Sequence, residues 1–460
     1  MENGTHMAQT HEPGNLERTT ANLELWASSS VRMVAGFWEK AGALALPRDT
    51  HGEGYRALLK TRRIEIAYCT LFVFASSLGQ TFLLSLFSPH WSAALDLSPA
   101  AMGSLYCGAT LAGGLLLPMT GNWLDRAPSG RAGLAAYGGL FAGCLLAASV
   151  SSVWTLALAL FVLRFSGQGV SVNVGITRVT RWFEHNRGKA LSLTVLGFPL
   201  GEAVLPITVT VLIGALGWRG AWLALAAVCV LVVAPSASVL LAKRRAKYGL
   251  AQAPETSPPS SWAERMAVLR DWRFYAMLVV TVPVPFAGTG IIFFQSTIAE
   301  TRGWGPAIVP TGFVVFALVR ALFSLSAGAW VDRIGSLRLL AAPTTLFAAG
   351  VACLTFDSPL FAYAFFALLG VGFGAASGVM TTAWADLFGA ERIGQVRGLS
   401  GVVGVGATAG APMVFGWALE IGIPINTLLW GNVLFIAGCT WPMCVVLARR
   451  GQHAPRAARA

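Results

Sequence analysis

Twelve apolar runs, each about as long as a bilayer is thick, leave this chain few ways to fold. A helix that crosses the hydrocarbon core needs about 20 mostly apolar residues. Runs of that kind occupy roughly 66–88, 98–121, 132–151, 153–177, 190–214 and 219–242, then 274–297, 305–328, 339–356, 359–384, 398–420 and 425–448. Read as helices, they give an all-α membrane protein with twelve transmembrane helices. Only 12% of the 460 residues are charged, about half the share usual in soluble domains, so most of the surface is expected to face lipid.

A polar stretch, "KRRAKYGLAQAPETSPPSSWAERMAVLRDWR", separates the sixth run from the seventh. Its charge, Ser and Pro content reads as a linker. The expected organisation is a tail (1–62), a first six-helix half (63–242), a linker (243–273), a second six-helix half (274–448) and a short tail (449–460). Of the 33 Lys and Arg residues, Arg219 and Arg302 fall in loops assigned outside and Arg164 and Arg320 fall within spans. All the others lie in the tails and the remaining loops. The positive-inside rule then puts both termini in the cytoplasm of a multi-pass plasma membrane, a bacterial inner membrane being expected. The net charge of +12 reflects this topology and anionic headgroups, and no nucleic acid partner is expected. No cleavable signal is read at the start, because the first apolar run follows Lys60-Thr61-Arg62-Arg63. A weakly amphipathic patch at 23–46 fits a helix lying on the inner membrane surface or a disordered tail.

The halves echo each other. "GNWLDRAPSGR" (121–131) returns as "GAWVDRIGSLR" (328–338), and "RWFEHNRGKALSL" (181–193) has a weaker echo in "DLFGAERIGQVRGLS" (386–400). Internal duplication of this kind is one way in which transporters are built. The glycine-rich stretches 370–378 and 404–412 follow no strand and lie inside spans, so they read as close helix packing, not as nucleotide loops. The seven cysteines fall singly in apolar runs and read as small core residues. With no Walker sequence, metal cluster or nucleophile elbow, the chain is expected to be no enzyme and to hold no metal or cofactor.

These phrases carry a family resemblance. "GNWLDRAPSGR" resembles the signature loop G-x-x-x-D-R-x-x-x-R of the major facilitator superfamily, between helices two and three, and "GAWVDRIGSLR" resembles its degenerate copy between helices eight and nine. "LRFSGQG" (163–169) is similar to the R-x-x-Q-G signature of helix four, with one residue more. The resemblance runs from about residue 62 to 450. Within the superfamily, "RWFEHNRGKALS", "GFPLGEAVLP" and "GWRGAW" look like the monocarboxylate and oxalate/formate carrier branch, and the sugar-porter phrase "PESPR" is absent. The resemblance implies a monomeric carrier with two halves around a central cavity, working by alternating access. It also implies a latch that holds the halves shut on the cytoplasmic side and is broken as the carrier turns inward, formed by Gly121, Asp125, Arg126 and Arg131 and by the copy Gly328, Asp332 and Arg333. Residues four apart share a helix face, so Gly121 would admit a neighbour where Asp125 meets Arg178, Arg181 or helix eleven near Arg397. Asp332 would meet Arg392 or Arg397. Plain capping of helix ends by charge is the competing reading of both loops.

Three ionisable residues sit deep within spans: Arg164, Glu202 and Arg320. Intramembrane charges are costly and tend to face a cavity. Arg164 and Glu202 lie at one depth on sequential helices, which suggests a pair that serves as a structural clamp or as a proton-coupling site. Arg320 has no evident acidic partner; it either anchors a carboxylate, as the carrier branch implies, or snorkels to the interface. Gln80, Thr81, Asn173, Gln295 and Thr381, with Ser76, Ser77 and Thr382, are candidates to line the cavity or to hold helices together. The expected function is secondary transport of a small organic anion, a carboxylate, with a proton or in exchange for a counter-anion. Proton-driven efflux of a hydrophobic or cationic compound on Glu202 is the alternative within transport. "GFPLGE" departs from the G-P-x-x-G-G phrase of drug antiporters by an inserted Phe and a terminal Glu. A transport-dead membrane sensor is the alternative from another class.

Overall fold

The computed structural model describes residues 54–183, 186–248, 262–389 and 392–451. The patch expected at 23–46 and part of the expected linker fall outside them, as do the side chains at positions 121, 122, 124 and 125. Among the described residues every regular element is helical.

A short α1 (Tyr55–Thr61) leads into α2 (Arg63–Ala75). A 3-10 turn at Ser76–Gly79 and the extended Gln80 break the first crossing before α3 (Thr81–Leu95). Next comes α4 (Pro99–Arg126), which starts where it does because the Ser98 hydroxyl accepts from the Ala101 N–H and Pro99 needs no donor in the first turn. After α5 (Ser129–Ala148), Ser152 and Thr155 form a reciprocal cap that opens α6 (Val153–Leu163). A π-helical segment, Arg164–Ser171, joins α6 to α7 (Val172–Trp182). Then follow α8 (Arg187–Val195), α9 (Gly197–Val228), a second π segment at Cys229–Val233, and α10 (Ala234–Tyr248).

The second half comprises α11 (Trp262–Leu269), α12 (Trp272–Thr281), α13 (Pro283–Phe293), α14 (Gln295–Thr301) and α15 (Ile308–Ile334). It continues with α16 (Ser336–Leu339), α17 (Ala341–Cys353), α18 (Pro359–Phe388), α19 (Ile393–Glu420) and α20 (Ile425–Gly451). Among the described residues, eleven helical stretches are long and apolar enough to cross a membrane, and one of them, Arg187–Tyr248, is 62 residues long. At about 1.5 Å per residue it would run roughly 90 Å, some three times the hydrocarbon thickness. It bends at Gly217, whose φ of 70° is open to glycine and avoided by other residues, so it makes two crossings and the total is twelve. The first crossing runs to Leu95 instead of 88, the sixth to Tyr248 instead of 242, and α11 occupies part of the stretch expected as linker. Apolarity ends at the edge of the hydrocarbon, whereas a helix ends where its backbone loses its partners, so hydropathy reads these helices short.

The halves meet along α4 with α19 and along α9 with α15. They are sealed on the face away from the basic loops. A Cβ on Gly416 would strike the Pro99 carbonyl, one on Gly103 the Pro412 carbonyl, and one on Gly114 would stand 2.8 Å from Val405 Cγ1. The Glu420 carboxylate accepts from Ser98 Oγ (2.7 Å) and from the Ala100 N–H (3.1 Å), which places an anion at the positive start of α4. Phe82 packs on Phe313 (5.5 Å between ring centres) and Tyr106 on Phe293 (4.7 Å) across the same seam. Toward the basic face, no described atom lies within 4 Å of where a Cβ on Gly398, Gly401 or Gly404 of α19 would stand. On the far face the halves thus touch backbone to backbone.

Candidate functional site

At the crossing of α9 and α15, the Glu202 carboxylate and the Arg320 guanidinium form a salt bridge between the halves, Oε1 to Nη1. Glycines aim both groups. A Cβ on Gly197 would stand 2.7 Å from the Thr70 carbonyl, and one on Gly201 would strike Ser77 Oγ. That stripe of α9 therefore lies on α2, and Glu202, about 100° further round, faces α15. On the other side, a Cβ on Gly370 would stand 2.7 Å from the Phe316 carbonyl, and one on Gly374 2.7 Å from the Arg320 carbonyl. The glycine-rich stretch of α18 thus lets two backbones touch and brings Phe373 to the cation. Three rings surround the guanidinium: Phe316 (5.6 Å), Phe198 (5.8 Å) and Phe373 (5.9 Å to the ring centres), within the range of cation–π attraction. The Arg320 side chain is 23% exposed and that of Glu202 8%, so the pair is approached from the arginine side. Glu202 Oε2 is buried and has no hydrogen-bond donor among the described residues.

This arrangement corrects two expectations. Arg164 does not pair with Glu202, and Arg320 is not without an acidic partner. Arg164 donates from Nε to Thr110 Oγ1 and from Nη1 to the Gly79 carbonyl, both at 3.0 Å, and stacks on the Tyr106 ring at 4.9 Å. It is almost fully buried, with Nη2 unmatched among the described residues. The reason lies in the π segment that begins at Arg164. A π turn holds one residue more than an α turn, which is the extra residue in R-x-x-x-Q-G. There α6–α7 crosses the break of the first helix so closely that a Cβ on Gly167 would stand 2.7 Å from Gly79 Cα, and Arg164 reaches the Gly79 carbonyl directly.

Most of the polar candidates for the cavity are already engaged. Thr81 shares a hydrogen bond with Tyr106 (2.6 Å), Asn173 Nδ2 donates to the Gly169 carbonyl (3.1 Å), and Thr381 and Thr382 bond back to the Ser377 and Gly378 carbonyls (2.8 and 3.0 Å). Gln295 is buried in the far-face seam, where Nε2 donates to Ser85 Oγ at 2.8 Å. Ser76 bonds to the Val73 carbonyl (2.6 Å). Gln80, at the break between α2 and α3, is half-buried, and no protein partner of its side-chain amide is found among the described residues.

A sequence profile of the Major Facilitator Superfamily matches residues 69–412 and 277–460. The chain belongs to the major facilitator superfamily. A search of curated proteins finds no match. Among solved structures, a bacterial homologue of the human lysosomal transporter Spinster, crystallised inward-facing and unoccupied, gives a TM-score of 0.65 at 13% identity, with 88% of this chain and 99% of that one covered. The nucleoside transporter NupG gives 0.61 at 13% identity, with 85% and 99% covered. At such identity they share the fold with this chain.

The superfamily's signature loops lie at the basic face. α4 is helical through Arg126, so Gly121 and Asp125 are one turn apart on one helix; the Asp125 side chain lies outside the described residues. Arg126 and Arg131 are exposed, and Arg178 Nη2 donates to the Ala127 carbonyl at 2.7 Å. In the second copy Asp332 and Arg333 are exposed, and a Cβ on Gly328 would meet nothing within 4 Å. Asp332 makes no salt bridge with Arg392 or Arg397 among the described residues. Other carboxylates take up the neighbouring donors and cations. Asp386 accepts from Ser336 Oγ, and Asp271 pairs with Arg273, whose Nη1 also reaches the Leu387 carbonyl (3.0 Å). The Arg273 hydrogen bond holds the Asp271 carboxyl below the usual carboxylate range, and the charge of Arg392 adds to the effect.

Sequence reasoning missed Glu65, which lies one position before the first apolar run yet is fully buried. Its carboxylate lies 2.7 Å from Arg62 Nε, a contact too poorly aligned to count as a hydrogen bond. Around it Arg62 donates to the Trp182 carbonyl (2.7 Å), Arg244 stacks on Trp182 (4.0 Å), and Lys247 donates to the Thr61 carbonyl (2.8 Å). This knot ties the basic ends of α1, α2, α7 and α10 into one body.

Proposed function

We propose that the chain is a proton-coupled carrier of a small organic carboxylate, working by alternating access with both termini in the cytoplasm. The observation that carries this reading is the Arg320–Glu202 salt bridge between the halves. A substrate carboxylate and Glu202 compete for one guanidinium, which suits planar, bidentate recognition. With Glu202 ionised, Arg320 is satisfied and the halves are tied. A proton on Glu202 removes its charge and leaves the guanidinium to the incoming carboxylate.

The charges set the coupling. Empty, the pair is neutral; loaded with one anion and one proton, it is neutral again. An anion without the proton leaves a net negative charge within the span, and a proton without the anion leaves a net positive one, each costing roughly 2.5–3.5 kcal/mol on insertion scales. Only the empty and the doubly loaded carrier cross cheaply, which gives symport of one proton per anion. Exchange of one anion for another uses the same site while the proton stays bound. Efflux of a cation on Glu202 loses support, because the carboxylate already has a cation.

Uptake into proteoliposomes under an imposed pH gradient tests this, with labelled carboxylates and cationic dyes as the panel. A carboxylate should accumulate with the proton gradient, and Arg320→Ala should abolish it. Accumulation of a dye and of no carboxylate would overturn the proposal, as would an Arg320→Ala variant that transports like the parent.

A further inference from the structure

We infer that the carboxylate carried at Arg320 is a monoanion with an aromatic body. The inference rests on the reading of Arg320 as the anion's anchor and adds what surrounds it. A carboxylate that displaces Glu202 from the guanidinium must place its body among Phe198, Phe316 and Phe373, each within 6 Å of the cation. Phe316 is buried, but Phe198 of the first half and Phe373 of the second are half-buried and have surface to give. An aryl ring between them meets both halves at once and stacks on faces that already attract the guanidinium.

The alternatives lack partners. A second carboxylate would need a second cation. The remaining intramembrane arginine, Arg164, is 3% exposed and held by Thr110, Gly79 and the Tyr106 ring. A body rich in hydroxyls would need several free donors, yet the hydroxyl of Thr381 and the amide groups of Asn173 and Gln295 already donate within the protein and Thr81 is bonded to Tyr106, which leaves Gln80, at the break between α2 and α3, as the candidate amide without a protein partner among the described residues. Sites reject a group strongly when its polar atoms would be left unpaired.

The test uses the full chain in proteoliposomes and compares labelled benzoate, acetate and succinate. Benzoate should saturate at a concentration at least about tenfold below acetate, as expected for burial of one ring, and succinate should not compete. Phe373→Ala and Phe198→Ala should each raise the benzoate KM about tenfold more than the acetate KM, with Phe373→Leu in between. A preference of the parent for acetate or succinate overturns the inference and leaves the carboxylate carrier standing. Equal losses for benzoate and acetate in the phenylalanine variants also overturn it, because the rings would then support the fold and not the ligand. If none of the three anions moves, the carrier proposal falls and the inference with it.

Discussion

Glu202 is a carboxylate inside a membrane bundle, and Arg320 is what makes its charge tolerable. Removing one partner of such a buried pair costs about 3–5 kcal/mol, whereas replacing both by apolar groups is close to neutral. Arg320 keeps some exposure, so the loss should sit at the lower end. Arg320→Leu should therefore lower the unfolding temperature of the detergent-purified protein by several degrees, and the added Glu202→Leu should restore most of it. Losses that simply add would show two groups that do not interact. The sequence displayed all three intramembrane charges and their depths. It did not display their azimuths, and azimuth decided the pairing. Glu202 and Arg164 share a depth, but the glycines at 197 and 201 turn Glu202 away toward the other half. Depth follows from counting along a helix; azimuth depends on which neighbour each glycine meets.

At the scale of elements, the extra residue in R-x-x-x-Q-G proved structural. It is taken up as a π segment where the fourth crossing passes the broken first helix. The departure from the family pattern was plain in the sequence, but the π turn was not, because an inserted residue can also shift a helix's register or lengthen a loop. The crossing depends on two glycines. A Cβ on Gly79 would stand 2.9 Å from Gly167 Cα, and one on Gly167 2.9 Å from the Ser76 carbonyl. Backbone on both sides leaves nothing to rotate away, so Gly79→Ala or Gly167→Ala should destabilise by about 1–3 kcal/mol. Gly108→Ala, on α4 with nothing within 4 Å, should be neutral or slightly stabilising, since alanine suits a helix interior better. Thermal unfolding of the three variants checks this, and equal behaviour would contradict the close crossing.

For the whole molecule, twelve crossings in two related halves were legible from apolar runs and the repeated signature phrase, since lipid imposes length and duplication leaves copies. Contacts between the halves were not, because they join positions more than a hundred residues apart, such as Arg320 with Glu202 and Glu420 with Ser98. The Glu420–Ser98 contact joins the halves at the far face, and the pair between Arg320 and Glu202 joins them at the α9–α15 crossing. On the proposed mechanism this one pair carries both the anion and the proton. The most direct measurement compares two modes of transport in one variant, Glu202→Gln, reconstituted in proteoliposomes. Glutamine is neutral, as is a protonated glutamate, so the anion site should stay available and exchange of labelled for unlabelled carboxylate should persist. Accumulation driven by a pH gradient should vanish, because no proton is carried. Full gradient-driven accumulation by Glu202→Gln would contradict the account.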